Sequence, residues 1–160
     1  MPQAIRSFKT RSGAEISFPD LGLGTAPLGN IFEALPEAQA EAALEAAWDK
    51  GIRYYDTAPL YGRGIAETRL NRLLRPKRRD SFVLSSKVGR IMQRTTADKM
   101  VGHTKYFGTP AREVVYDYTR DGIMRSVEHS LERLGVDLPG GGLVNHDLYH
   151  RACSMPGAHL

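Results

Sequence analysis

Three side chains in this 160-residue sequence could manage a proton together: Asp56, Tyr61 and Lys87. Asp56 closes the stretch Ile52-Arg53-Tyr54-Tyr55, and Tyr61 follows beyond Thr57-Ala58-Pro59. Lys87 closes a second apolar stretch, Ser81-Phe82-Val83-Leu84-Ser85-Ser86. Taken singly, an aspartate and a tyrosine in such places read as a turn cap and a half-exposed ring. The lysine changes that reading, because a lysine ending an apolar strand needs a partner for its charge. A free tyrosine gives up its proton at about pH 10. A nearby ammonium stabilises the phenolate, and a carboxylate keeps the ammonium charged and placed. Such a trio can donate or accept a proton near neutral pH.

The surrounding residues supply elements that would bring the three together. The β-branched and aromatic run Ile52–Tyr55 predicts a short strand, and Gly51 before it suits the left-handed residue that ends a helix. Pro59 has no N–H for a ladder, so a loop follows Asp56. If the two strands run parallel, Asp56 and Lys87 share one rim and Tyr61 hangs above it. A helix is predicted over 36–50, with Pro36 at its first helical position and Leu44, Ala47 and Trp48 facing the sheet. Trp48 reads as core rather than site. A second helix spans 65–74, with Ile65, Leu70, Leu73 and Leu74 as its apolar stripe and Arg69, Arg72 and Arg75 on the other side. A third is predicted over 119–134: Thr119 caps it, Ile123, Val127, Leu131 and Leu134 are buried, and His129 faces solvent. Gly135 ends it.

Near the N-terminus, Phe8–Thr10 and Ala14–Phe18 read as a hairpin around Arg11-Ser12-Gly13. Leu21–Thr25 reads as a strand. Gly22-x-Gly24 suggests a dinucleotide loop, but Pro27 stands where the third glycine belongs, and the fingerprint is absent. Residues 88–119 show no clear period. This connector leaves the Lys87 rim, and two readings stay open: a substrate-side cover with Tyr106, Phe107 and Tyr116 as contacts, or a mobile loop.

Composition narrows the function classes. With 41% apolar and 25% charged residues the chain is globular rather than disordered. The net charge of +4 suits an anionic dinucleotide and by itself implies no nucleic-acid partner. The basic run Arg75-Pro76-Lys77-Arg78-Arg79 lacks interleaved aromatics and reads as a solvated connector. A single cysteine, Cys153, excludes an internal disulfide, and no stretch is long and apolar enough for a leader or a membrane span. A cytoplasmic protein is expected. His146, His150, Cys153 and His159 are of types that bind zinc, but their spacing matches no established motif, and no metal is expected.

Four segments taken together resemble the aldo-keto reductases: Leu21–Ala26, Tyr55–Gly62, Leu84–Gly89 and Ser130–Gly135. Gly24–Asn30 and the insert ending in Tyr116-Asp117-Tyr118 resemble the bacterial branch of aldose 1-dehydrogenases (L-fucose or D-threo-aldose type) and pyridoxal 4-dehydrogenases. The resemblance implies an α/β fold, a (β/α)8 TIM barrel, and reversible hydride transfer between a nicotinamide and a carbonyl or hemiacetal carbon. It implies Tyr61 as general acid and base, Lys87 and Asp56 as its support, and His146 as the group orienting the substrate oxygen. Gly24, Thr25, Ala26 and Asp56 would lie beside the cofactor, NAD or NADP, with NAD favoured. A small carbonyl compound or sugar is the implied substrate.

The chain departs from that pattern after Asp137. A fourth strand is due, but Leu138-Pro139-Gly140-Gly141-Gly142 intervenes, and three glycines weaken a strand. A complete barrel takes about 250 residues. Residues 1–137 are therefore expected to form the N-terminal part of a barrel, about three to four βα units with a preceding hairpin. Residues 138–160 are expected to form a divergent tail for which disorder is one reading, and a truncation with a frameshift would explain both. Exposed edges and an apolar interior face would favour self-association. The competing function is a catalytically inactive fragment, or a half-barrel that works only with another chain.

Overall fold

The computed structural model describes residues 4–9, 13, 15–96, 106–136 and 143–144. Strands β1 (Ile5–Lys9) and β2 (Glu15–Pro19) form the expected antiparallel hairpin, with Ser7 paired to Ser17. The chain then alternates: β3 (Leu23–Gly24), α1 (Glu37–Asp49), β4 (Tyr54–Asp56), α2 (Ile65–Leu74) and β5 (Val83–Ser85). An antiparallel pair follows, β6 (Arg90–Arg94) and β7 (Arg112–Tyr116), then α3 (Arg120–Leu134) and β8 (Leu143–Val144). Strands β3, β4, β5 and β8 make one parallel sheet in that order. Consecutive parallel strands joined through helices are the repeating unit of a (β/α)8 barrel, here in part.

Alternation along the strands divides the sheet into two faces. Tyr55 and Leu84 point to the helices and join Leu44, Leu70, Leu74 and Leu134 in the core. Tyr55 is fully buried, its phenol donates to the Ile52 carbonyl at 3.1 Å, and burial pushes its pKa up to about 12. The opposite face carries Tyr54, Asp56, Val83 and Ser85. Tyr54 and Asp56 both bond the Ser85 hydroxyl, so among the described residues this face is mainly polar rather than apolar. Phe18 of β2 meets Tyr54 edge-on, at 5.4 Å between ring centroids.

Several expectations need correction. Pro36 precedes α1 as its cap: its ψ of 140° is extended, while its carbonyl accepts from Gln39 and Ala40. Trp48 packs against the core as expected, half-buried, with the Arg53 guanidinium 3.8 Å from its ring centroid. Arg69 does not share a solvent side with Arg72 and Arg75. It is 3% exposed, and the loop before α1 folds over it and supplies the Leu28, Asn30 and Leu35 oxygens as acceptors, with Glu37 as counter-ion. The connector 88–119 contains the hairpin β6–β7. On α3 the fully buried line is Gly122, Ser126, Ser130 and Leu134, whereas Ile123, Val127, Leu131 and His129 are half-exposed. Small residues let the helix approach closely, and Ser126 Oγ accepts the Gly89 N–H at 3.1 Å. Thr119 caps α3 as expected, Oγ1 accepting from Gly122 N–H at 3.1 Å. Gly51 takes the left-handed φ of 88° required after α1. Strand β8 lies within the stretch 138–160, while His146 and the other tail histidines fall outside the described residues.

A buried ion pair fastens α2 to α3. Glu67 is fully buried, accepts from Arg133 Nε at 2.6 Å, and takes a bond from Ser86 Oγ at 2.9 Å. Removing one partner of such a pair strands the other charge in the interior. Arg133→Met should cost about 3–5 kcal/mol of stability. Urea unfolding at neutral pH measures this, and a loss below about 1 kcal/mol, the scale of an exposed pair, would show that Arg133 is not what neutralises Glu67.

Candidate active site

Register brings the acidic and basic members of the trio together. Asp56 lies directly opposite Ser85 across the β4–β5 ladder, both at strand ends. Lys87 follows two residues beyond β5 and turns back over the rim. Its Nζ donates to Asp56 Oδ2 at 3.0 Å and to the Thr57 carbonyl at 3.1 Å. Asp56 Oδ1 accepts from Ser85 Oγ at 2.7 Å, and Tyr54 OH contacts the same Oγ at 3.1 Å. The carboxylate is thus held on both oxygens. The Asp56 carbonyl is held too, accepting from the N–H and the Oγ1 of Thr25, each at 2.9 Å.

Lys87 is 13% exposed at its side chain. Burial works against its charge, but the hydrogen bond and charge of Asp56, and then Tyr61, outweigh it and hold the ammonium above the ordinary lysine range. The lysine is therefore a fixed cation at neutral pH. Tyr61 reaches the same place from the loop after β4, and Lys87 Nζ lies 4.9 Å from its ring centroid. That loop is a tight 3₁₀ turn in which Gly62 and Arg63 adopt left-handed φ of 64° and 53°. Arg63 is 3% exposed, and such a conformation in a non-glycine residue persists only where its surroundings hold it. Its guanidinium donates to the Arg112 carbonyl of β7, while Arg112 donates to the Arg63 carbonyl at 2.8 Å.

The remaining expected residues sit as follows. Gly24 is exposed beside Asp56, and a Cβ built on it would meet nothing, so open space adjoins the carboxylate. Thr25 is fully buried with its hydroxyl turned to the Asp56 carbonyl. Ala26 is half-buried at the start of a 3₁₀ turn. Tyr106 is half-buried near Tyr61, Lys87 and Arg90, whereas Phe107 and Tyr116 are exposed, the latter stacked on Tyr118. Ser85, Tyr54, Asn30 and Arg63 were not anticipated. Ser85 could have been found by counting alternate positions against Asp56. The other three depend on contacts distant in sequence. A cavity of about 210 Å³ between α2, Glu37, Pro110 and Arg112 is lined by none of the trio.

This arrangement of parallel βα units with a carboxylate, a lysine and a tyrosine at one rim can be compared with known proteins. The profile of the aldo/keto reductase family matches residues 20–147. The chain belongs to the aldo/keto reductase family. It is 46% identical over 131 residues to a D-threo-aldose 1-dehydrogenase of a Pseudomonas species, covering 79% of this chain and 39% of that protein. It is 44% identical over 140 residues to pyridoxal 4-dehydrogenase of Microbacterium luteolum, covering 80% and 39%. Among solved structures, a holo aldo-keto reductase of Bacillus halodurans superposes with a TM-score of 0.57 at 27% identity, covering 84% of this chain and 38% of that one. One from Klebsiella pneumoniae in complex with NADPH gives 0.52 at 26% identity, covering 88% and 41%. This aldo/keto reductase chain thus spans about two fifths of the length of those relatives, as the partial barrel requires.

The causes acting on Lys87 yield a prediction. Its folded pKa lies above the ordinary 10.5, so the pair's contribution to stability is intact below that value and is lost as pH rises through the folded pKa. In Asp56→Asn the largest upward influence goes and burial remains, so Lys87 should titrate lower than in the parent protein. An NMR titration of the lysine ε-carbons reads both; an unchanged Lys87 would show that Asp56 does not set its charge.

Proposed function

We propose that these residues form the catalytic rim of an NAD(P)-dependent oxidoreductase acting on an aldose- or pyridoxal-type substrate, with NAD favoured. The observation that carries the reading is Lys87, held charged by Asp56 and placed against the Tyr61 ring. Open space over Gly24 and beside Asp56 is compatible with a flat nicotinamide ring at that rim. Gly24 and Ala26 would meet it there, while Thr25 acts from below by fixing Asp56.

A nicotinamide bound there would supply or take up a hydride at its C4. The chain's own residues manage the proton and the charge. In the oxidative direction the C–H bond of the hemiacetal carbon breaks with its electron pair leaving as hydride, and the hydroxyl proton passes to the Tyr61 oxygen. In the reductive direction Tyr61 returns that proton to the carbonyl oxygen. Lys87 stabilises negative charge on the phenol oxygen, an electrostatic contribution already in place before reaction. Asp56 keeps Lys87 charged and aimed, and Ser85 and Thr25 keep Asp56 from turning away. His146 is assigned to orient the substrate oxygen, on the strength of the resemblance alone. A cytoplasmic setting is proposed from the single Cys153; among the described residues no helix is long and apolar enough to cross a membrane.

The test is a titration of the 160-residue chain with NADH and NADPH, read by nicotinamide and Trp48 fluorescence, followed by turnover of aldoses and pyridoxal. Saturable binding is expected, with Tyr61→Phe lowering kcat by about 10²-fold or more, the scale of general acid–base catalysis, and leaving cofactor affinity within about twofold. A folded sample that binds neither nucleotide at millimolar concentration would remove the enzyme reading for this chain. It would leave an inactive fragment, or a half-barrel that works only with another chain.

A further inference from the structure

The insert carrying β6 and β7 is not merely draped over the rim. It is fastened at two places, once to the Tyr61 loop and once to the loop before α1. One is the Arg63–Arg112 exchange already described. The other is Asn30, whose backbone carbonyl accepts from Phe107 N–H at 2.9 Å while its Nδ2 donates to the Phe107 carbonyl, also at 2.9 Å. One residue thereby holds both polar groups of another residue's backbone.

Asn30 is itself held. It is 4% exposed, with a left-handed φ of 64°, and its Oδ1 accepts from buried Arg69 at 2.8 Å and from Leu35 N–H at 3.3 Å. Just before it, Gly29 packs so closely on the Tyr61 and Gly62 backbone that any side chain there would overlap them. Contacts therefore run without a break from the Tyr61 backbone through Gly29 and Asn30 to Phe107. The residue next to Phe107 is Tyr106. Burial, followed by Tyr61, holds its phenol above the usual tyrosine range, against the pull of Arg90 and Lys87. It stays protonated in neutral solution and can donate a hydrogen bond.

We infer that Tyr106 is a specificity contact of this site, hydrogen-bonding a hydroxyl next to the reacting carbon of a polyhydroxy substrate, and that Asn30 is the positioning residue that holds Tyr106 there. The inference rests on the oxidoreductase reading above and extends it to the substrate's second oxygen. It distinguishes sugars from simple aldehydes, which present the reacting carbonyl but no neighbouring hydroxyl.

Asn30→Asp is the discriminating variant. It keeps an acceptor for Arg69 and Leu35 but removes the donor to the Phe107 carbonyl. Phe107 N–H keeps its own bond to the Asn30 carbonyl, but with half of the clamp gone it should open more often and exchange about tenfold faster, the scale of one lost hydrogen bond. The ratio of kcat/KM for L-fucose over propanal should fall about tenfold, through KM, in both Asn30→Asp and Tyr106→Phe. The double variant should be no worse than either single one. Ligand-observed NMR with L-fucose reads the same contact without turnover. Fucose binding that weakens in Tyr106→Phe, in a chain with no turnover, would support the contact while overturning the catalytic reading. A sugar-to-propanal ratio or fucose affinity that is indifferent to Tyr106→Phe would overturn the specificity role while leaving catalysis in place. Unchanged Phe107 exchange in Asn30→Asp would overturn the positioning role. A folded chain that neither binds nor turns over fucose would overturn both.

Discussion

A lysine almost withdrawn from water has its charge answered by one carboxylate on the neighbouring strand, and the rest of the rim follows from that demand. The ammonium cannot be buried alone, so Asp56 must stand at the matching end of β4. The carboxylate must then be kept from rotating toward solvent, which is the work of Ser85 across the ladder, while Thr25 fixes the Asp56 backbone through its carbonyl. Only with those in place does the Tyr61 ring sit beside a cation of fixed position. Strand register, rather than loop conformation, supplies this precision, because a slip of one residue would turn Asp56 to the helix side.

Part of this arrangement was legible in the sequence and part was not. Local chemistry could be read directly. The Thr119 cap, the left-handed Gly51 and the bounds of α2 depend on neighbours within a few residues. The trio was legible because each member has a type suited to its place at or just beyond a strand end. Arg69 was misplaced because helical period alone set it away from the apolar stripe. Its acceptors lie some forty positions earlier, in a loop whose path no period encodes. The β6–β7 hairpin was missed because Ile91 and Met92 are buried side by side instead of at alternate positions, which hides the period of two. On α3 the apolar stripe was real but only half-covered, since small residues rather than large ones make the closest approach.

Two buried arginine networks give the partial barrel much of its internal order. Arg69 joins α2 to the loop before α1, and Arg133 joins α3 to Glu67 of α2. Arg69 spreads three nitrogens over Glu37, Leu28, Asn30 and Leu35, and Arg133 reaches Glu67 and Ser130 through two, so a lysine at either position loses contacts. The helices are therefore tied to each other and to the rim by directional bonds as well as by the leucine-rich core.

The crossed exchange between Arg63 and Arg112 carries an evolutionary consequence. Each guanidinium serves the other residue's carbonyl, so replacing either side chain strips one bond, from the partner's backbone, and leaves the reciprocal bond standing. A single replacement loosens the junction from one side, and a second at the partner position removes the bond that the first left. Such positions behave as one heritable unit. The insert and the loop before α2 are then expected to be exchanged between relatives as a block, with grafting of the insert alone yielding a rim whose two halves no longer fit.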